Sequence, residues 1–317
     1  MRERAIGVVA WSVAAGCVAL HALSIVLYLA SRDVETPGDH ESIAASAGFL
    51  ACFLLFPAVG ALVVSKRPRH PVGWLLLYVG VALALNDVLF AYADYAVYAD
   101  PGSLPAGVWA GWFGACLDPI FILAVALLLL LFPDGRPPSR RWRPVVWLVL
   151  GTAVLGTVHV ALKHGPVYED TFPADNPAGV AAIAGISDRV DDLIIVPFAL
   201  AVLLSAVSVI VRFRRSRGDE RQQMKWLAFA AALLIAAFVG GVVVASAVGH
   251  PDLAGGLMGV ALAVVPVAIG VAVLRYRLYE VDRIVSRTLV YGSLTVILGA
   301  AYAGLVLAGQ WAFSSFA

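Results

Sequence analysis

Five ionisable residues lie in stretches of the sequence that are otherwise apolar, and they are the first candidates for chemistry. They are His21, Asp87, Asp94, Asp118 and His159. Because a charged group costs about 2.5–3.5 kcal/mol at the centre of a bilayer on insertion scales, such residues indicate an ion, proton or ligand site.

Two of the acids have a helical spacing. Asp87 and Asp94 are seven residues apart, which places them on one face of a helix with two turns between them. We predict that Asp87, Asp94 and Asp118 line an outward-facing polar pocket that senses a small ligand, a cation or protons. The alternative is that these acids hydrogen-bond to neighbouring helices and only pack the bundle. For His21 and His159 the same alternative holds.

Other kinds of chemistry find little support in the sequence. There is no Gly-rich phosphate loop, no His-Glu-x-x-His and no Gly-x-Ser-x-Gly, so we expect no catalytic residue and no cofactor. The odd number of cysteines argues against a disulfide framework or a zinc site. They are Cys17, Cys52 and Cys116, all within apolar runs.

The elements that must position these residues are membrane-spanning helices. The 317-residue chain is 61% hydrophobic and 14% charged, with a mean hydropathy of +0.89; soluble domains are about half apolar and about a quarter charged. Runs of about 20 apolar residues can cross a bilayer as helices. We predict an all-α integral membrane protein of about nine spans and no soluble domain. The spans are 5–30, 43–65, 72–98, 106–132, 144–163, 190–211, 226–248, 254–274 and 289–313.

The basic residues predict the orientation. With the N-terminus inside, 19 of the 22 Lys and Arg residues fall in inner segments, and only Arg32, Lys163 and Arg189 fall outside. Because positive charge favours the inner side, this distribution predicts a multi-pass protein of the plasma membrane with an outer C-terminus. The bilayer, with anionic lipid headgroups at the inner loops, is the expected partner. The basic loops lack interleaved aromatic residues, so nucleic acid is not expected.

One inner segment differs from the other loops. Leu278, Val281, Val285 and Leu289 recur at intervals of three to four residues, which predicts an amphipathic inner-surface helix near 276–288. Such a helix could relay a rearrangement of the bundle. The residues expected to couple the signal are Arg275, Arg277, Asp282, Arg283 and Arg287.

This segment and three earlier motifs resemble the N-terminal membrane region of bacterial sensor histidine kinases, many of them from high-G+C Gram-positive bacteria. The motifs are HPVGWL at 70–75, LFPDGR at 131–136 with SRRW at 139–142, RGDERQQMKW at 217–226 and LRYRLYEVDRIVSRTLVYG at 274–292. The resemblance implies a sensor or input module of two-component signalling. It also implies a homodimer, and as partner a downstream transmitter or a response regulator.

The chain departs from the family plan in its kinase parts. Its six histidines lie in spans, outside or in a short loop, so none is expected to be a phosphoacceptor, and no ATP-binding motif is recognisable. We therefore expect no enzyme activity from this chain, which would be either a fragment ending one helix early or a standalone input module. A small-solute or ion transporter or channel is the alternative function. Against it, the halves show no convincing repeat, and prolines within the spans are few.

Overall fold

Eight long helices make up most of the structure, a computed structural model that describes residues 2–32, 34, 43–168, 172–248 and 251–274. The helices are α1 (Arg2–Ser31), α2 (Ile43–Lys66), α3 (Pro71–Asp94), α4 (Gly107–Leu131), α5 (Arg143–Leu162), α6 (Ala184–Arg215), α7 (Gly218–Val248) and α8 (Pro251–Leu274). A π-helical turn, Tyr95–Ala99, continues α3. Short 3-10 turns at Arg140–Trp142 and Ala181–Ile183 precede α5 and α6.

Five helical segments are long and apolar enough to cross a membrane among the residues searched. They are Arg4–Ser31, Pro71–Ala99, Gly107–Leu131, Arg140–Leu162 and Leu193–Arg215. The prediction of a mostly helical chain with membrane-spanning character is thus confirmed. Helices α2, α7 and α8 coincide with three further predicted spans. The predicted ninth span at 289–313 and the predicted amphipathic helix near 276–288 lie outside the described residues.

Two helices begin earlier than hydropathy predicts. Helix α6 starts at Ala184 rather than near 190, and α7 starts at Gly218 rather than near 226. The first turns of α7 consist largely of Glu, Arg, Gln, Met and Lys, which are good helix formers although they are mostly polar. A hydropathy window detects the apolar part of a helix and misses such a polar extension.

Helices α2 and α3 approach each other at two glycines. A Cβ atom on Gly60 would lie 2.5 Å from the backbone nitrogen of Leu77, and one on Gly80 would lie 2.5 Å from Cδ of Pro57. Glycine is needed at both positions because the neighbouring atoms belong to backbone or to a proline ring. Small residues at such contacts let membrane helices pack closely without a hydrophobic driving force.

Among the described residues, the largest apolar core lies between α2, α3, α4, α7 and α8. Its fully buried side chains include Phe56, Leu76, Leu128, Met224 and Ile269. A second cluster joins α1 to α2 and α3, and another joins α4, α5 and α6. The helices therefore form one packed bundle around α2–α4.

Two short strands, which the sequence analysis did not predict, follow α5. Strand β1 (Pro166–Tyr168) pairs antiparallel with β2 (Phe172–Asp175), with Tyr168 opposite Phe172 and an irregular register towards Pro166. The side chain of Phe172 is fully buried and packs edge-on against Phe90 and Tyr98. A Cβ atom on Gly111 would lie 2.5 Å from this ring, so the absence of a side chain there admits Phe172 to the surface of α4.

The two ends of the bundle differ in charge. We call the end with the strands the hairpin end. We call the opposite end the basic end, because Arg4 lies beside Ser65 there, while Arg67 and Arg69 line one cleft with Arg136. Arg212 joins the same end through Asp134.

Candidate functional site

Asp118, near the middle of α4, is held by donors from two other elements. The side-chain amide of Asn86 in α3 donates to Asp118 Oδ1 at 2.8 Å and also to the carbonyl of Gly114 at 3.1 Å. The hydroxyl of Tyr168 in β1 donates to Asp118 Oδ2. One carboxylate within the membrane-type bundle therefore connects α3, α4 and the hairpin.

Tyr168 is suited to be the donor in this group. Burial, together with the negative charge of Asp118, raises the pKa of Tyr168, so the phenol keeps its proton at neutral pH. Its ring packs 5.9 Å from that of Phe90. A ligand that competes for the carboxylate or for the hydroxyl would remove this hydrogen bond between the hairpin and α4.

His21 and Asp87 form a second polar group between α1 and α3. Nδ1 of His21 lies 2.9 Å from Oδ2 of Asp87, and the contact becomes an ion pair when the imidazole is protonated. The imidazole is 1% exposed and stacks on Phe53 of α2, with ring centres 4.9 Å apart and planes 6° from parallel. Its Nε2 is buried without a hydrogen-bond partner among the described residues. The buried imidazole of His21 thus contacts both α2 and α3, while the Asp87 carboxylate side chain is 30% exposed.

The two groups use adjacent residues of one helix. Asn86 and Asp87 are consecutive in α3, and consecutive helical residues project in directions about 100° apart. Asn86 therefore faces α4 while Asp87 faces α1. The predicted pocket would contain Asp87, Asp94 and Asp118 together. In the structure, Asp87 and Asp118 belong to two separate hydrogen-bonded groups, and these groups lie on different faces of α3.

The other candidates occupy separate places. Asp94 is the last residue of α3 and lies about two helical turns beyond Asp87. His159 is partly buried in α5, one residue before Val160, whose carbonyl binds the Asn176 side chain. The residues expected to couple the signal, 275–287, lie outside the described residues.

Asn176 attaches the segment after the hairpin to the end of α5. Its side-chain nitrogen donates to the carbonyls of Val160, Ala161 and Lys163 at 3.1, 3.3 and 2.8 Å, and its side-chain oxygen accepts the backbone N–H of Ala178 at 2.9 Å. The last carbonyls of a helix lack partners within the helix, so this amide caps α5. Trp112 of α4 also donates to the Ala161 carbonyl, at 3.0 Å. These bonds hold the hairpin end of α5 against α4.

Arg212 organises the basic end. It is 6% exposed, donates to the carbonyl of Arg136 and lies 3.6 Å from the carboxylate of Asp134. Gly135, between these residues, has a φ of +74°, and a Cβ atom there would lie 2.5 Å from Cδ of Pro71. The end of α6 therefore holds the 133–136 turn against the start of α3.

Two of the motifs that carry the resemblance meet at this contact. The 70–75 motif begins α3 and the 131–136 motif ends α4, so both helices of the Asp118 group reach the basic end through these motifs. Within the described ranges, no group of three or more His, Cys, Asp or Glu side chains could hold a metal ion.

The sequence did not point to Tyr168, Asn176 and Arg212, which the structure places in buried polar contacts. Tyr168 carried no signal, because a tyrosine in a loop between spans has no periodicity that would indicate a partner. Asn176 precedes Pro177, and an Asn-Pro pair predicts only a turn. Arg212 was counted as one of many basic residues, and its burial depends on the packing of α6 beside the 133–136 turn.

No protein-family model matches this chain, and neither a curated protein nor a solved structure shows significant similarity to it.

Proposed function

We propose that this chain is the membrane-embedded input region of a bacterial two-component signalling system, without kinase activity of its own. In the orientation expected from its basic residues, the hairpin end faces outward and the basic end faces the cytoplasm. The bonds from Tyr168 and Asn86 to Asp118 carry this proposal, because they connect an exterior segment directly to two helices of the bundle.

The proposed signal passes along α3 and α4. A stimulus that breaks the Tyr168–Asp118 bond removes one of two donors from a partly buried carboxylate, which then favours a different packing of α4 against α3. Both helices reach the basic end in loops that contact each other at Pro71 and Gly135. A shift of one helix would therefore move this contact and the Arg212 interactions beside it.

Transport is the competing function, and the helix geometry argues against it. Many transporters bind substrate where spanning helices are broken near the midplane. Here Pro57, Pro119 and Pro197 lie within α2, α4 and α6, each of which is assigned as one uninterrupted helix. Continuous helices joined by a hydrogen-bonded exterior segment suit a sensor better.

The test compares transcription in a strain that lacks the gene with strains that express variants at equal membrane levels. Tyr168→Phe and Asp118→Asn each alter the carboxylate–hydroxyl bond. Tyr92→Phe is the matched control, since its hydroxyl donates to the Pro105 carbonyl in a separate loop of the hairpin end. We expect wild type and Tyr92→Phe to restore the parental RNA profile, and Tyr168→Phe and Asp118→Asn to fail.

Two outcomes would contradict the proposal. One is an RNA profile that is the same in the deletion strain and the parent under all stimuli applied. The other is solute uptake into vesicles that depends on the chain and is lost in Asp118→Asn, which would indicate a transporter. ATP-dependent autophosphorylation of the purified chain would separately contradict the absence of kinase activity.

A further inference from the structure

Two cavities adjoin at the basic end, one apolar and one polar. The apolar groove, about 680 Å³, runs along α3 and α4 beside Trp74, Tyr78, Leu127 and Leu131. The polar cleft, about 470 Å³, lies between the 67–71 and 133–136 loops. The two cavities share Pro68, Arg69 and Pro71 as lining residues, so they form one continuous surface.

Specific contacts fix the walls of this surface. The indole N–H of Trp74 donates to the carbonyl of Pro68 at 2.8 Å, which holds the ring between the loop and the groove. On the other side, the close approach of Gly135 to Pro71 sets the spacing of the two loops. The surface is therefore formed by the packed loops before anything binds, which lowers the ordering cost of binding.

The cleft is positively charged. Arg67, Arg69 and Arg136 line it together with His70, and Asp134 is its single acid. The Asp134 carboxylate is 3.6 Å from the buried guanidinium of Arg212, so its charge is already paired from beneath the turn. Arg69 and Arg136 are exposed, and their guanidinium groups are accessible at the mouth of the cleft.

We propose that this surface is a specific binding site for one anionic glycerophospholipid. Its phosphate would bind in the cleft at Arg69 and Arg136, and an acyl chain would lie in the groove along Trp74, Tyr78, Leu127 and Leu131. Basic pockets between spanning helices bind lipid headgroups, and an indole at the interface suits the boundary between headgroup and chain. The charge of the cleft selects an anionic headgroup over a zwitterionic one. This assignment does not depend on the signalling role proposed above.

The first experiment measures lipid binding to the purified chain in an uncharged detergent by native mass spectrometry. Dioleoylphosphatidylglycerol is the probe, and dioleoylphosphatidylcholine is the zwitterionic comparison. One basic residue near an anionic headgroup contributes about 1 kcal/mol, so the Arg69→Ala/Arg136→Ala variant should bind phosphatidylglycerol about 25-fold more weakly. Arg140→Ala/Arg141→Ala is the matched control, since both residues are exposed just after the same turn and neither lines the site. We expect this control to bind like wild type.

The second experiment separates a lipid from a free phosphate compound. Leu131→Trp fills the groove without changing any charge, and Leu131 belongs to none of the apolar clusters that the described residues of the bundle form. We expect it to weaken phosphatidylglycerol binding while Tm in lipid-free detergent stays unchanged. Glycerol 3-phosphate and inorganic phosphate should neither compete with the lipid nor raise Tm.

Each of four results would overturn the assignment. The first is equal binding of phosphatidylcholine and phosphatidylglycerol, and the second is an equal loss in the two double-arginine variants. The third is lipid binding by Leu131→Trp that equals wild type, and the fourth is competition by inorganic phosphate, which would make the cleft an anion site without a lipid chain.

Discussion

The imidazole Nδ1 of His21 in α1 lies 2.9 Å from the carboxylate Oδ2 of Asp87 in α3, and the imidazole is almost completely buried. This contact is a polar link between the first helix and the centre of the bundle. Phe53 of α2 covers the imidazole in a stacked arrangement, so three helices meet at one titratable group.

We predict measurable energetic coupling between His21 and Asp87. A double-mutant cycle with His21→Leu and Asp87→Leu should give an interaction energy between the average of about 0.6 kcal/mol and the maximum of about 1.7 kcal/mol for polar pairs between membrane helices. Unfolding of the detergent-solubilised chain measures it. Asp87→Asn, which keeps an acceptor oxygen, should be less destabilising than Asp87→Leu. Additive effects of the two Leu substitutions would show that the pair contributes nothing.

The contact between α2 and α3 predicts that an alanine substitution destabilises the chain more at Gly60 than at Gly16. Gly60→Ala places a methyl group 2.5 Å from backbone of α3, which cannot yield as a flexible side chain can. The helices must move apart, and overpacking of this kind costs about 1–3 kcal/mol. Gly16→Ala in α1 is the control, because no atom of the described residues lies within 4 Å of its Cβ position. A Tm for Gly60→Ala that equals that of Gly16→Ala would contradict the close approach.

The cap on α5 predicts an order among substitutions of Asn176. Asn176→Ala removes donors to the last carbonyls of α5 and should cost about 1–3 kcal/mol. Asn176→Asp should destabilise more at neutral pH, because it places a carboxylate against three carbonyl oxygens that need donors. Hydrogen exchange of residues 160–164 should accelerate in the same order. Slower exchange in Asn176→Asp than in Asn176→Ala would rule out this role of the amide.

His70 predicts a loss of stability in mild acid. Burial, and next the positive charge of Arg67, lower the pKa of His70 relative to its unfolded value. A lowered pKa means that the unfolded chain binds the proton more tightly. The contribution of neutral His70 to the free energy of unfolding is therefore complete above the pKa of the unfolded chain, about 6.5. It is lost as the pH falls through the lower pKa of the folded chain.

The measurement is Tm between pH 7.5 and 5 in a neutral detergent without lipid, for wild type and His70→Gln. Tm of wild type should fall more steeply than that of His70→Gln. Arg67, Asp134 and Arg136 line the same cleft in both proteins, so their contribution to the pH dependence of Tm cancels when the two curves are compared. Parallel curves would show that His70 is not responsible.

The sequence alone determined the helices and much of the character of the chain. Long apolar runs bounded by prolines and charges predicted nine spans, and eight of them coincide with described helices within a few residues at most ends. The ninth, at 289–313, lies outside the described residues. The positions of the helices can be predicted because the backbone N–H and C=O groups of a long apolar run in a membrane must hydrogen-bond to each other. Whether a segment forms such a helix therefore depends on its local sequence. Polar helix extensions, such as the start of α7, were not predicted because the spans were located by their apolar residues alone.

Only the tertiary structure decided which polar residues meet. Asn86 and Asp87 are neighbours in sequence, yet one binds Asp118 and the other binds His21, because the helical rotation between them points each at a different partner helix. Tyr168 reaches Asp118 across 50 residues because Gly111 admits Phe172 and so positions the hairpin. Partners of this kind depend on how helices pack, and one sequence read along its length contains no signal for that packing.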